Sequence, residues 1–141
     1  MTYDYRSRKI VAILSEALPP GKAMNALGHL AFAAGHASDE SWMGQKIITD
    51  TDGQNHAGIS KYPFIILKAT PDEIKEIIHR AKRESILIID YPQEMFDTGA
   101  DDELVTAIQS LKNETATYHA AVLVGEAGKI NKLTSHLKLY R

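Results

Sequence analysis

The sequence predicts an α/β layered domain, and three observations lead there. Short apolar runs rich in β-branched residues recur along the chain, each too short for a helix. Between several of them lie segments with helical hydrophobic periodicity. The 141 residues suit one domain, with no repeat, linker or low-complexity tract to divide them.

The elements follow in order. Lys9 to Ser15, KIVAILS, reads as a buried strand. Leu18-Pro19-Pro20-Gly21 cannot continue it, and Lys22 to His36 reads as a helix with prolines at its start, where a missing N–H costs nothing. Its apolar period predicts Met24, Leu27, Leu30, Ala31 and Ala34 toward the core. Gln45 to Thr49 suggests a strand, Asp50 to Asn55 a turn by composition, and His56 to Lys61 a polar connector. Pro63 to Ala69 is a strand buried on both faces.

Thr70-Pro71-Asp72-Glu73 carries a capping box for a second helix, with Ile74, Ile77, Ile78 and Ala81 as its stripe. Ile86 to Ile89 is a strand ending at Asp90 and broken by Tyr91-Pro92. Asp101 to Asn113 predicts a third helix, with Leu104, Val105, Ile108 and Leu111 facing the core. Tyr118 to Val124 is a strand, Lys129 to Leu137 a short helix or turn, and Leu137 to Tyr140 a short edge strand.

Composition narrows the function classes. Hydrophobic residues make up 44% and charged residues 24%, the profile of a soluble globular protein. A net charge of -2 argues against a strongly basic nucleic-acid binder. With no cysteine, thiol nucleophiles, disulfides and thiolate metal sites are excluded. No secretory signal or long apolar span is visible, so a cytoplasmic protein without a membrane segment is expected. Phosphate-binding glycine motifs and the nucleophile elbow are absent, and no cofactor is expected.

The first helix carries the most informative polar pattern. Lys22, Asn25, His29 and His36 fall within an arc of about 60°. That stripe is either a solvated face or part of a site at the helix start, where free N–H groups and the dipole favour an anion beside Lys22. His29 and His36 lie about 10 Å apart along the axis, too far to share an ion, and no metal site is expected. His56 and Ser60 flank Gly58 in one connector, where they suit proton transfer or local turn hydrogen bonds. Asp90 ends a buried strand, the place where α/β sheets hold ligands.

Gly21-Lys22-Ala23-Met24-Asn25-Ala26-Leu27-Gly28-His29 resembles the Gly-Lys-x-Ala-Ala-Gln-x-x-His motif of the second type of peptidyl-tRNA hydrolase. Gly21, Lys22 and His29 match; the motif's Gln falls on Ala26, with Asn25 beside it. That family's later Asp-Ala-Gly-x-Thr meets Asp90-Tyr91-Pro92-Gln93-Glu94, where the Asp alone matches. A closer resemblance, along nearly the whole chain, is to the domain-of-unknown-function family two thousand. It rests on Leu18-Pro19-Pro20-Gly21, Asn25-Ala26, Gly28-His29-Leu30, His56-x-Gly58-Ile59-Ser60, Pro63-Phe64 and the stretch from Leu133-Thr134 to Leu139-Tyr140-Arg141.

The resemblance implies a three-layer sandwich, with a mixed sheet of about four strands between helices. It implies Lys22 and Asp90 as candidate catalytic residues, facing one pocket. Gly21, Asn25, His29, His56 and Ser60 are candidate ligand contacts. The function so expected is ester or acyl hydrolysis with an anion site at the start of the first helix. The alternative is a non-enzymatic small-ligand-binding or regulatory dimer on the same fold. A homodimer is expected, since a helix so rich in Ala and Gly suits close packing against a twin. The expected ligand is a small anion, and after that tRNA.

Overall fold

The computed structural model describes residues 3–141. A mixed sheet of five strands runs in the order β5-β6-β1-β4-β7. Its strands are β1 (Arg8–Ser15), β4 (Phe64–Ala69), β5 (Leu87–Pro92), β6 (Tyr118–Glu126) and β7 (Lys138–Leu139). β1 pairs parallel with β4 and antiparallel with β6, while β5 and β7 add antiparallel at the two edges. The resemblance implies about four strands; the fifth is the two-residue β7, which falls within the short edge strand expected over Leu137 to Tyr140.

β1 lies at the centre because both its faces are apolar. Val11 and Ile13 pack with α2 (Pro71–Ala81) and α5 (Ala127–Thr134), among Ile74, Ile77, Ile78, Ile130 and Leu133. Ile10 and Leu14 point the other way, toward α1 (Pro20–Ala37). The capping box at the start of α2 is formed: Glu73 N–H donates to Thr70 Oγ1 and Thr70 N–H to Glu73 Oε1.

α1 buries Leu30 and Ala34 and packs Leu27 as expected, but Ala23 and Ala26 take the place expected of Met24. It buries Ala23, Ala26, Leu30 and Ala34, while Met24 is 64% and Phe32 85% exposed. Alanine at three of the four contacts lets the helix approach the sheet closely, so side-chain size, not hydrophobicity, decided the face. Of the small residues expected to meet a twin, Ala23, Ala26 and Ala34 are buried within the chain, while Gly28, Gly35 and Ala37 are exposed.

Three further expectations change. Asn55–Ala57 forms β3, which pairs with β2 (Ile47–Thr49) in an exposed hairpin where a turn and connector were expected. Tyr91-Pro92 does not break β5, which continues through Pro92 at the sheet edge, where a missing N–H is tolerated. α4 (Asp101–Gln109) ends four residues early and buries none of its side chains. Val105 is 46% and Ile108 37% exposed, because α4 packs mainly on the short α3 (Glu94–Asp97) at the rim. No helix among the described residues is long and apolar enough to cross a membrane.

Candidate functional site

The sheet carries its chemistry where β1 and β5 end, β6 begins and α1 starts. The start of α1 has Pro20 in its first turn and no side-chain cap on its free N–H groups. Lys22, in that turn, holds its ammonium 5.5 Å from the centre of the Phe96 ring. Phe96 meets Tyr91 edge-on at 4.9 Å and His119 at 5.5 Å, and Tyr91 lies 6.3 Å from the ring of His29.

His119 was not singled out by the sequence, and a β-bulge explains why. Tyr91 pairs with Ala120 and Pro92 with Tyr118, so His119 is an extra residue on β6. Simple alternation from Ala120 and Val122, which face α1, would point His119 to the opposite face. The bulge turns it instead toward Phe96 and Lys22. A sequence signal existed only in a polar residue breaking an otherwise apolar strand.

The imidazole is held by a relay. Gln93 Nε2 donates to Asp97 Oδ1 at 2.9 Å, which turns Gln93 Oε1 toward His119 Nε2. His119 therefore carries its proton on Nε2, leaving Nδ1 as an acceptor, covered and without a protein partner. Burial, and then the Lys22 charge, lower the His119 pKa below the ordinary histidine value, against a smaller pull from Asp97 and Glu94.

A histidine whose folded pKa is depressed adds stability above its unfolded value, and that stability is lost as pH falls toward the folded pKa. Thermal unfolding followed from pH 7.5 down to 5 is expected to show a falling Tm below about pH 6.5. In His119→Gln that slope is expected to flatten; an unchanged slope would assign the transition to another group.

Beside this cluster lies a cavity of about 410 Å³, lined by His29, Leu30, Ala33, Tyr91, Met95 and Leu104 among others. It sits between α1, the edge strand β5 and the α3–α4 segment. Its walls are mostly aliphatic and aromatic, with Asp90 and Asp101 as its acidic residues.

Asp90 is among the residues lining this cavity, at its β5 wall, but Lys22 is not. Tyr91 faces α1, so its neighbour Asp90 faces α2, where its carboxylate lies 3.8 Å from Lys82 Nζ. Burial raises the Asp90 pKa above the ordinary carboxylate value, partly offset by Lys82. The expected pairing of the two across one site thus fails on strand alternation.

The other candidates scatter. Gly21 and Asn25 are exposed on α1, where Asn25 borders an open depression with Met24, Gly28, His29 and Phe32. His56 lies in the hairpin, with Nε2 3.0 Å from Asp50 Oδ2. Ser60 forms a bridge with Met43. Of the ligand candidates, only His29 lines the cavity beside Tyr91. Among the described residues no group of three or more His, Asp or Glu is placed to hold a metal ion.

The fold and the site together define an α/β domain with a relay-held histidine, a lysine at a helix start and an adjoining apolar cavity. The chain belongs to the family described as protein of unknown function (DUF2000), whose model matches residues 8–141. A solved structure of a protein of unknown function from Agrobacterium tumefaciens strain C58 is similar with a TM-score of 0.83 and 21% identity. That likeness covers 96% of this chain and 98% of the other, and it concerns the fold alone. No curated protein matches the chain significantly.

Proposed function

We propose that the protein binds a small amphipathic anion, its apolar body in the cavity and its carboxylate or phosphate at Lys22. One observation carries this reading: the cavity of about 410 Å³ and the lysine share one face of α1. His29, which lines the cavity, lies seven residues after Lys22 and so about 10 Å further along that face. Such a separation suits a ligand whose charge lies at one end of an apolar body.

Lys22 makes no ion pair with a carboxylate among the described residues, and Asp97 is occupied by Gln93. An incoming anion would therefore meet an available ammonium and the free N–H groups of the helix start. The neutral histidine adds no repulsion, and the Phe96 ring borders the exposed lysine on one side.

Calorimetric titration with octanoate and phenylacetate tests the reading. Lys22→Ala is expected to weaken binding by about tenfold, the loss of one charge-assisted contact. Ala33→Trp, which fills the cavity from its α1 wall, is expected to abolish binding with Tm retained. Wild-type affinity in both variants, or no heat with either probe at millimolar concentration, would overturn it.

A second reading keeps ester or acyl hydrolysis in a sandwich of peptidyl-tRNA hydrolase II type. The Asp97–Gln93–His119 relay supports it, since an imidazole fixed in one tautomer can act as a base. Two facts weigh against it: Nδ1 is covered, and the Asp90 carboxylate is turned to Lys82. Release of p-nitrophenol from p-nitrophenyl octanoate, lost in His119→Gln, would favour hydrolysis over binding alone.

A further inference from the structure

Far from this site, where β6 ends, a second concavity of about 280 Å³ lies between α2 and α5. It is lined by Arg80, Arg83, Lys129 and Lys132, with Glu84 and Leu133. β6 spans nine residues, so the two places are about 30 Å apart along the strand.

The other cations near α2 are engaged. Lys75 donates to the carbonyls of Glu114 and Ala116, His79 meets Asn113 Oδ1, and Lys82 lies beside Asp90. Arg80, Arg83, Lys129 and Lys132 have neither an ion pair nor a side-chain hydrogen bond among the described residues. The helix dipole accounts for part of this: Arg80 sits in the last turn of α2 and Lys132 in the last turn of α5. It does not account for Lys129, which lies in the first turn of α5, where a positive charge opposes the dipole; the acidic residues nearby are Glu126 at the N-cap and Glu84 in the concavity. Arg83, in the turn after α2, lies beyond the helix proper. Four cations against the single carboxylate of Glu84 leave the hollow with a formal excess of three positive charges, in a chain whose net charge is -2.

We propose that this concavity binds a compact polyphosphate anion. Two guanidinium forks suit phosphate oxygens, and two ammonium groups add point charge. Phosphate is the shared chemistry of a free polyphosphate and a nucleic-acid backbone. The concavity is small and has no aromatic side chain to stack a base, which favours the free anion over a nucleic-acid strand.

Calorimetric titration of the full chain with inorganic tripolyphosphate at 50 mM salt tests the proposal. One-site binding is expected, weakening steeply by 200 mM salt. The pair Arg80→Ala and Arg83→Ala is expected to lose about tenfold or more in affinity, as charge-assisted contacts do. Lys129→Ala with Lys132→Ala should do the same, so the result does not hang on one variant folding. Lys46→Ala and Lys68→Ala, outside both sites, should bind as the wild type does. No heat at 50 mM salt would overturn the proposal. So would equal losses in the control variants, which mean a diffuse charge field, or tighter binding of a 12-base-pair DNA duplex than of tripolyphosphate.

Discussion

Replacing Gly58 by alanine is expected to pry apart the two arms of the β2–β3 hairpin at its base. A Cβ at Gly58 would stand 1.7 Å from the carbonyl oxygen of Gln45 and 2.8 Å from its carbon. These are backbone atoms and cannot swing aside as a side-chain tip would. The requirement is space, not an unusual dihedral angle, because Gly53 alone among the described residues has a positive φ, at 80°. Relief requires breaking the Gly58 N–H bond to the Lys46 carbonyl and the Gly44 N–H bond to the Ile59 carbonyl. The cost is expected to reach about 2–3 kcal/mol, the upper range for overpacking. β2 and β3 are exposed throughout, so the damage should stay local. Amide hydrogen exchange should therefore accelerate at Asp50 and Gly58 but not in β1. Gly28→Ala is the control: open space surrounds that position within α1, and about 0.5–1 kcal/mol of stabilisation is expected. Unchanged exchange in Gly58→Ala would mean that the two backbone segments are not in contact.

Ile13→Ala should destabilise the protein by about 2–5 kcal/mol. Ile13 is fully buried at the centre of β1 and packs with α2 and α5 residues. Rigid neighbours on both sides leave the emptied volume little room to collapse. Val105→Ala, on α4, should stay within about 0.5 kcal/mol, because the side chain is 46% exposed. The two residues look alike in hydrophobic pattern, and the contrast measures whether α4 contributes to the core. Chemical denaturation reads both; a loss above about 1 kcal/mol in Val105→Ala would place α4 in the cooperative core.

The candidate site divides along the same lines. Lys22 and His29 were legible because one helix holds both, and the helical repeat alone places them on a common face. Asp90 was legible as lying near a strand end, two residues before β5 stops, but not as to its face, since a single step along a strand inverts the side chain. His119 was not legible, because the bulge that aims it is a property of its pairing with β5. The motif around His56 and Gly58 is accounted for by close backbone approach and a local contact with Asp50, away from the cavity.

What the sequence by itself determined is the α/β alternation, the capped start of α2, the central apolar strand and the lysine in the first turn of α1. These follow from local periodicity and cap chemistry, which act within a few residues. Only the tertiary structure decided that Ala23 and Ala26 take the place of Met24 on the buried face of α1, that α4 stays at the rim, that the Asp90 carboxylate turns to Lys82, and that His119 joins the site. Each of those depends on which surface is available opposite a segment, a property of strand order and register that no short stretch of chain contains.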